Sequence, residues 1–484
     1  MNRAIDVLLP KSSTDGFSRR MGKFGSPIFI SVLSACAALV SYWFLALGAG
    51  LILLIAVYCV LIGALAVRFP RFAWVLYFIS ISVTGIVFEV GPAKVHAELL
   101  ALPLLWVCIA RLRHLDIRSI LTPVHSVTML SVASGYFLWA GITSGLNAPN
   151  PFPSIWMLIQ VLAGFVSYFL IRQSESEKVW MIQAGTIIIG GISAISILGW
   201  IARTVFGLPL AEVPGVASDG RLIGFSFETN IFASQCVAWI ALCSRRWASL
   251  GRLSKALNFV LGIAVVLAGT RSAWIALAFV LFVSACEGVR RTRKWLWGIV
   301  GLLSAFPWIL STVASPAEAQ SDSLLWRLSN LLNSDVGTGA YRFNIYETAI
   351  DDITNSQRLW WGSGMNSFSQ FHLIDATGVS SAYLSSVWIS AVYDTGLIGF
   401  LLFIALLVIV VLSTRKRFDG LVVVGAVMIC ASATNLVWFQ YPWICMALLE
   451  VAKRDSERTR RADHLSIELN DLQASKQLRS TSIG

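Results

Sequence analysis

Apolar runs recur along nearly the whole chain, and most are about 17–25 residues long, enough to cross a hydrocarbon core of roughly 30 Å. Within lipid the backbone has no water to bond, so only helices and closed barrels span it. These runs are too long for barrel strands, and the reading is an all-α polytopic membrane protein. Composition agrees: 56% of the 484 residues are apolar and 13% are charged, where a soluble chain would have about a quarter charged. The eight cysteines, Cys36, Cys59, Cys108, Cys236, Cys243, Cys286, Cys430 and Cys445, all fall in apolar runs with no CxxC spacing. They read as small core residues, and neither a disulfide framework nor a metal site is expected.

Expected spans are 28–44, 47–67, 72–89, 97–110, 124–144, 155–171, 179–200, 226–243, 256–268, 273–287, 296–313, 387–413, 420–436 and 438–451. Residues 28–67 read equally as a hairpin or one long tilted helix, and 438–451 is short, so the expectation is about 12–14 transmembrane helices. The organisation is then a tail at 1–27, helices across 28–313, one large loop at 314–386, further helices at 387–451 and a polar tail at 452–484. With the first tail in the cytoplasm, 30 of the 37 Lys and Arg fall on that side. The other seven are Lys94, Arg203, Arg221, Arg271, Arg327, Arg342 and Arg358. This bias puts both termini in the cytoplasm of a plasma-membrane protein. The formal charge of +11 is then a topology signal, and no nucleic-acid partner is expected. No secretory signal peptide and no internal repeat are visible.

Arg271 lies in GTRSAW, a very short turn between two apolar runs on the outer side. An arginine there gains nothing from orientation, and its charge cannot be shed by losing a proton. It either snorkels to headgroups or lines a polar cavity that takes an anion. Two outer segments keep it company. One is RTVFGLPLAEVPGVASDGRLIGFSFETNIFASQ, which holds Arg221, Glu228, Asn230 and Gln235. Asn230 and Gln235 fit either a substrate cavity or an interhelical hydrogen bond. The other is the long loop 314–386, and loops of that length are usually functional. Within it, AYRFNIYETAIDDI has helical periodicity with Ile345, Tyr346, Ala349, Ile350 and Ile353 on one face. The Trp-rich RLWWGSGMNSF comes next, suited to headgroup depth, so the loop is expected to fold onto the membrane as a lid.

Three stretches in this order resemble the O-antigen ligase and polymerase superfamily. They are GRLIGFSFETNIFAS (220–234), LAGTRSAWIAL (267–277), and YRFNIYETAIDDITNSQRLWWGSGMNSF (341–368) followed by VWISAVYDTGLIGFLLF (387–403). The similarity covers roughly 200–435. It implies a GT-C-like inner-membrane glycosyltransferase that moves a glycan from a polyprenyl-diphosphate carrier to a sugar hydroxyl at the outer face. Arg221, Arg271 and Arg342 are the outer arginines inside these motifs, and guanidinium groups pair bidentately with phosphate oxygens. Ordinary loop ion pairs with Asp219 and Glu347 are the plainer reading for Arg221 and Arg342. By their motif positions Asn230, Glu228, Tyr346 and Asp394 become substrate contacts. No DxD motif is near, so the expectation is a metal-independent enzyme without a cofactor.

One departure bears on the reaction. Ligases of this superfamily place His-Asn eleven and ten residues before the first Gly of the return motif, and here Ser385 and Ser386 stand there. That favours a polymerase joining lipid-linked repeat units of O-antigen, capsule or exopolysaccharide, with a chain-length regulator or export proteins as partners. Ligation to lipid A core or protein is the alternative. A lipid-linked oligosaccharide flippase is a further one, disfavoured by the single long loop and missing repeat. The proton acceptor stays open among His372, Asp375, Asp394 and Glu98. Histidine titrates near neutral pH, though a lone loop histidine is more often structural.

Overall fold

The computed structural model describes residues 70–85, 87–90, 93–96, 98–99, 101–102, 124–172, 178–204, 215–217, 220–286, 338–356, 358–372, 382–414 and 416–449, with positions 64, 68 and 106. The expected tails 1–27 and 452–484, the spans 28–44 and 296–313, nearly all of 47–67 and most of 97–110, the first part of the large loop and Asp375 lie outside these residues. The chain divides into two compact units, Met1–Phe69 and Pro70–Gly484, and every element with described bounds belongs to the second.

The second unit is built of helices: α1 Pro70–Ser82, α2 Val124–Asn147, α3 Pro151–Arg172, α4 Lys178–Thr204, α5 Thr229–Arg245, α6 Arg252–Leu267, α7 Arg271–Cys286, α8 Thr338–Asn355, the single turn α9 Phe368–Phe371, α10 Val387–Ser413, α11 Arg417–Ala431 and α12 Gln440–Leu449. α2, α3, α4 and α10 are each long and apolar enough to cross a membrane. The protein is an all-α polytopic membrane protein, and among the described residues the one sheet is a short hairpin. That hairpin corrects the span expected at 72–89: α1 stops at Ser82, and β1 (Val87–Val90) pairs antiparallel with β2 (Ala93–His96). The ends of the other described helices fall within about five residues of expectation, as helix ends read from periodicity do.

α5 is the centre of the bundle, packed against α6, α7, α11 and α12. From Thr229 to Cys243 every residue except Asn230 is buried. Its sequence, TNIFASQCVAWIALCSR, is rich in Ala, Ser and Cys, because lipid tails give apolar helices no reason to associate and close approach of small residues must do it. Long aliphatic residues point the other way: Leu401, Val408 and Leu412 of α10 are exposed. Glycine makes the closest contacts. A Cβ on Gly185 of α4 would stand 2.2 Å from the Trp239 ring, and one on Gly164 of α3 would stand 2.4 Å from Trp443. The Trp239 indole N–H, which is costly to bury alone, donates to Thr186 Oγ1 at 2.8 Å.

Basic residues mark one end of the bundle. α3 ends at Arg172, α4 begins at Lys178, α5 ends at Arg245, and α6 and α11 begin at Arg252 and Arg417. Arg245 joins three helices there, contacting Asp419 of α11 at 3.5 Å and donating to Ser284 of α7 at 2.8 Å. The opposite end holds the starts of α5, α7 and α10, the ends of α2, α6 and α11, and the loop helices α8 and α9.

Candidate functional site

The site is built on a break in α10. At Gly396 the helix takes φ 66° and ψ −177°, a conformation essentially restricted to glycine. The break releases main-chain groups that must find partners elsewhere. The turn 359–364 supplies them: Ser363 N–H donates to Tyr393 O, Gly364 N–H donates to Asp394 O and Leu359 O accepts from Leu397 N–H, each at 2.8 Å. Trp139 of α2 donates its indole N–H to Thr395 O, also at 2.8 Å. Contact is so close that a Cβ on Gly396 would lie 2.3 Å from Trp360 O, and one on Gly362 2.5 Å from Asp394 O. The far side of the turn is held by α2, through Asn147 Nδ2 to Gly362 O at 2.9 Å and Met365 N–H to Ser144 Oγ at 3.0 Å. The Gly-x-Gly of the loop and the Asp-x-Gly of the helix are therefore two halves of one interlock.

α8 lies on the first turns of α10. Ile345, Ala349 and Ile353 pack with Phe368, Leu384 and Tyr393, whereas Ile350, expected on the same face, is exposed. His372 Nε2 meets Asp352 Oδ2 at 2.5 Å, Tyr393 OH donates to the same oxygen at 3.4 Å, and the imidazole stacks on Phe368 with centroids 4.3 Å apart. Asp352 was no candidate in the sequence, and it joins α8 both to His372 at the end of α9 and to Tyr393 of α10. Tyr346 OH is 2.8 Å from Ser385 Oγ, the position where ligases have histidine. Arg342 is one turn before Tyr346 on the same flank and half-buried. The ion pair considered for it does not form: Glu347 is exposed and makes no salt bridge with it.

The other arginines flank a tight helix–helix connection. α6 ends in the left-handed Gly269, φ 63°, whose N–H bonds to Val266 O at 3.0 Å, a usual way to stop a helix. Arg271 opens α7 two residues later and is half-buried. Thr270 Oγ1 donates to Asn230 Oδ1 on α5 at 3.2 Å. Leu222 N–H bonds to Leu267 O at 3.2 Å, and Ala217 N–H to Arg221 O at 2.8 Å. Arg221 and Arg271 thus stand on one patch, each next to a residue that ties the 215–224 loop or α5 to the α6–α7 turn. A cation at a helix N-terminus opposes the macrodipole by about 0.3–1 kcal/mol, so the helix dipole gives no reason for Arg271 at this position. Helix terminus and guanidinium together attract an anion.

Asn230 belongs to this patch. Glu228 is the exposed residue before α5, and Gln235 is buried, donating Nε2 to Ile81 O at 2.8 Å. Asp394 is buried beneath the interlock, where its Oδ2 accepts from Ser390 Oγ at 2.8 Å and Asn435 Nδ2 donates to that hydroxyl at 2.9 Å. Glu98 is buried with Oε2 unpartnered. Asp352, Ser390, Thr270 and Asn435 escaped the sequence reading because nothing in their local pattern differs from a polar residue at a helix end.

Residues 256–404 match the family model described as O-antigen ligase. This segment runs from the first turns of α6 through the kink of α10, so it takes in Arg271, Arg342, Tyr346, His372 and Asp394, with Arg221 and Asn230 before it. No curated protein matches the chain. Over the O-antigen ligase segment the resemblance to the ligase and polymerase superfamily holds, and with it glycan-transfer chemistry of the general ligase or polymerase type in a membrane protein.

Proposed function

We propose that the protein polymerises lipid-linked glycan repeat units at the outer face of the bacterial inner membrane. The observation that carries this is Arg271, placed within the O-antigen ligase segment and beside Thr270 and Asn230 at the end away from the basic ring. In this reading Arg221, Arg271 and Arg342 bind the diphosphate of a polyprenyl-diphosphate-linked glycan. The terminal hydroxyl oxygen of a second repeat attacks the anomeric carbon. The bond from that carbon to the phosphate oxygen breaks, its electron pair leaves with the polyprenyl diphosphate, and the hydroxyl proton passes to external water. Guanidinium groups aimed at the oxygens on which charge grows lower the barrier without reorganising.

Ser385 supports polymerisation over ligation to another acceptor, since its hydroxyl is paired with Tyr346 where the ligase reaction would need an imidazole. His372 is held by Asp352 and Phe368 and acts here by tying the α9 turn to α8. The basic ring then faces the cytoplasm, with both termini on that side.

The test uses inside-out membrane vesicles holding radiolabelled lipid-linked repeats. Wild type should convert them to a ladder of longer lipid-linked chains, and Arg271→Ala should leave single repeats. Transfer of finished chains to lipid A core or protein without any ladder would make the protein a ligase.

A further inference from the structure

Three polar side-chain atoms near the α10 break make no hydrogen bond although they are buried: Asp394 Oδ1, Ser367 Oγ and Thr434 Oγ1. They belong to one neighbourhood. Asn435, the residue after Thr434, donates to Ser390 Oγ at 2.9 Å, and Ser390 donates to Asp394 Oδ2 at 2.8 Å. The main-chain amides of Asn366 and Ser367 also hydrogen-bond to this carboxylate. On its outer side Trp388, half-buried, is pinned by its indole N–H to Ser432 Oγ at 2.8 Å. Buried polar groups without partners are uncommon because each loses its water and gains nothing. Removing one such group is neutral or stabilising unless a ligand uses it.

We infer that Ser367, Ser390, Asp394, Thr434 and Asn435, with Trp388 at the rim, form the subsite for the acceptor sugar ring, the unpartnered atoms being reserved for its hydroxyls. A carboxylate, three hydroxyls, an amide and an aromatic face match a pyranose, whose ring has hydroxyls that donate and accept and C–H faces that stack on an indole. The turn 362–367 lies against Asp394 on one side of this group, through Gly364 N–H to Asp394 O at 2.8 Å. The inference rests on the glycan-transfer reading above and adds the side from which the attacking hydroxyl comes.

The test takes the full-length protein in detergent and two deletions of an unpartnered hydroxyl, Thr434→Val and Ser367→Ala, with Thr434→Ser as the conservative control. The probe is the repeat-unit oligosaccharide freed by mild acid from lipid-linked repeats, its binding followed by saturation-transfer NMR and thermal unfolding recorded alongside. The subsite predicts that each deletion weakens oligosaccharide binding about fivefold to tenfold, that Thr434→Ser binds as wild type does, and that the unfolding midpoint is unchanged or higher. Unchanged binding in both deletions, with Arg271→Ala still inactive in vesicles, overturns the subsite and leaves the transfer reading standing. A lowered midpoint with unchanged binding also overturns it, since the hydroxyls then serve the fold. Wild-type vesicles that extend no lipid-linked repeat overturn the transfer reading itself.

Discussion

Gly396→Ala tests the interlock between the large loop and α10. The residue sits at φ 66° and ψ −177°, where an L side chain costs about 1–3 kcal/mol. The new Cβ would also meet Trp360 O at 2.3 Å and Trp361 N at 2.6 Å, both backbone atoms with no rotamer to yield. The turn must therefore leave, with the three main-chain bonds at Ser363, Gly364 and Leu397, each worth about 1 kcal/mol net. The expected loss is about 5 kcal/mol, read by titrating the purified protein with SDS. Limited proteolysis should newly cut within 358–372, and transfer activity should vanish because α8 with Arg342 is no longer held. Gly145→Ala on α2 is the control: a Cβ there meets nothing within 4 Å, and helical alanine gains up to about 1 kcal/mol. A Gly396→Ala protein within about 1 kcal/mol of wild type, with the loop still protected, would refute the interlock.

Arg271→Ala should lower transfer by about a hundredfold or more while leaving unfolding unchanged, and Arg271→Lys should recover only part, because ammonium lacks the bidentate fork; side-by-side vesicle kinetics and SDS titration decide it. For the His372–Asp352 contact, His372→Ala and Asp352→Asn should each loosen α8, and the double variant should be no worse than the single ones. Both side chains are partly exposed, so a double-mutant cycle should give a coupling of about 1 kcal/mol or less. Gly185→Ala should destabilise by about 1–3 kcal/mol through overpacking against Trp239, and an unfolding curve that overlays wild type would show that α4 and α5 are not packed as described.

Helices were legible in the sequence wherever one apolar run was bounded by charge or glycine: α10 begins and ends where its run does, at Val387 and Ser413. The reading failed at the end of the span expected at 72–89, since the apolar VFEV continues the hydrophobicity of α1 while its backbone forms β1 of the hairpin. Arg271 stood out because charge between two spans is costly wherever it lies. Asn435 and Ser390 did not, because their meaning is a contact between α10 and the α11–α12 connection, 45 residues apart, and no periodicity records such a contact. The two glycine motifs were both noticed, yet their mutual fit depends on φ values that letters do not encode. His372 was one of several open candidates for the proton acceptor, and its pairing with Asp352, twenty residues earlier, is a contact the sequence does not show.

The central claim is that the chain extends lipid-linked glycans through an arginine site led by Arg271. The most direct measurement is the glycan profile of a strain lacking the chain, complemented with wild type or with Arg271→Ala expressed to the same level. The expected result is single repeats without long chains in the deletion, long chains restored by wild type, and no restoration by Arg271→Ala. Long lipid-linked polymer that never reaches its acceptor, repeats trapped on the cytoplasmic face, or full restoration by Arg271→Ala would contradict it.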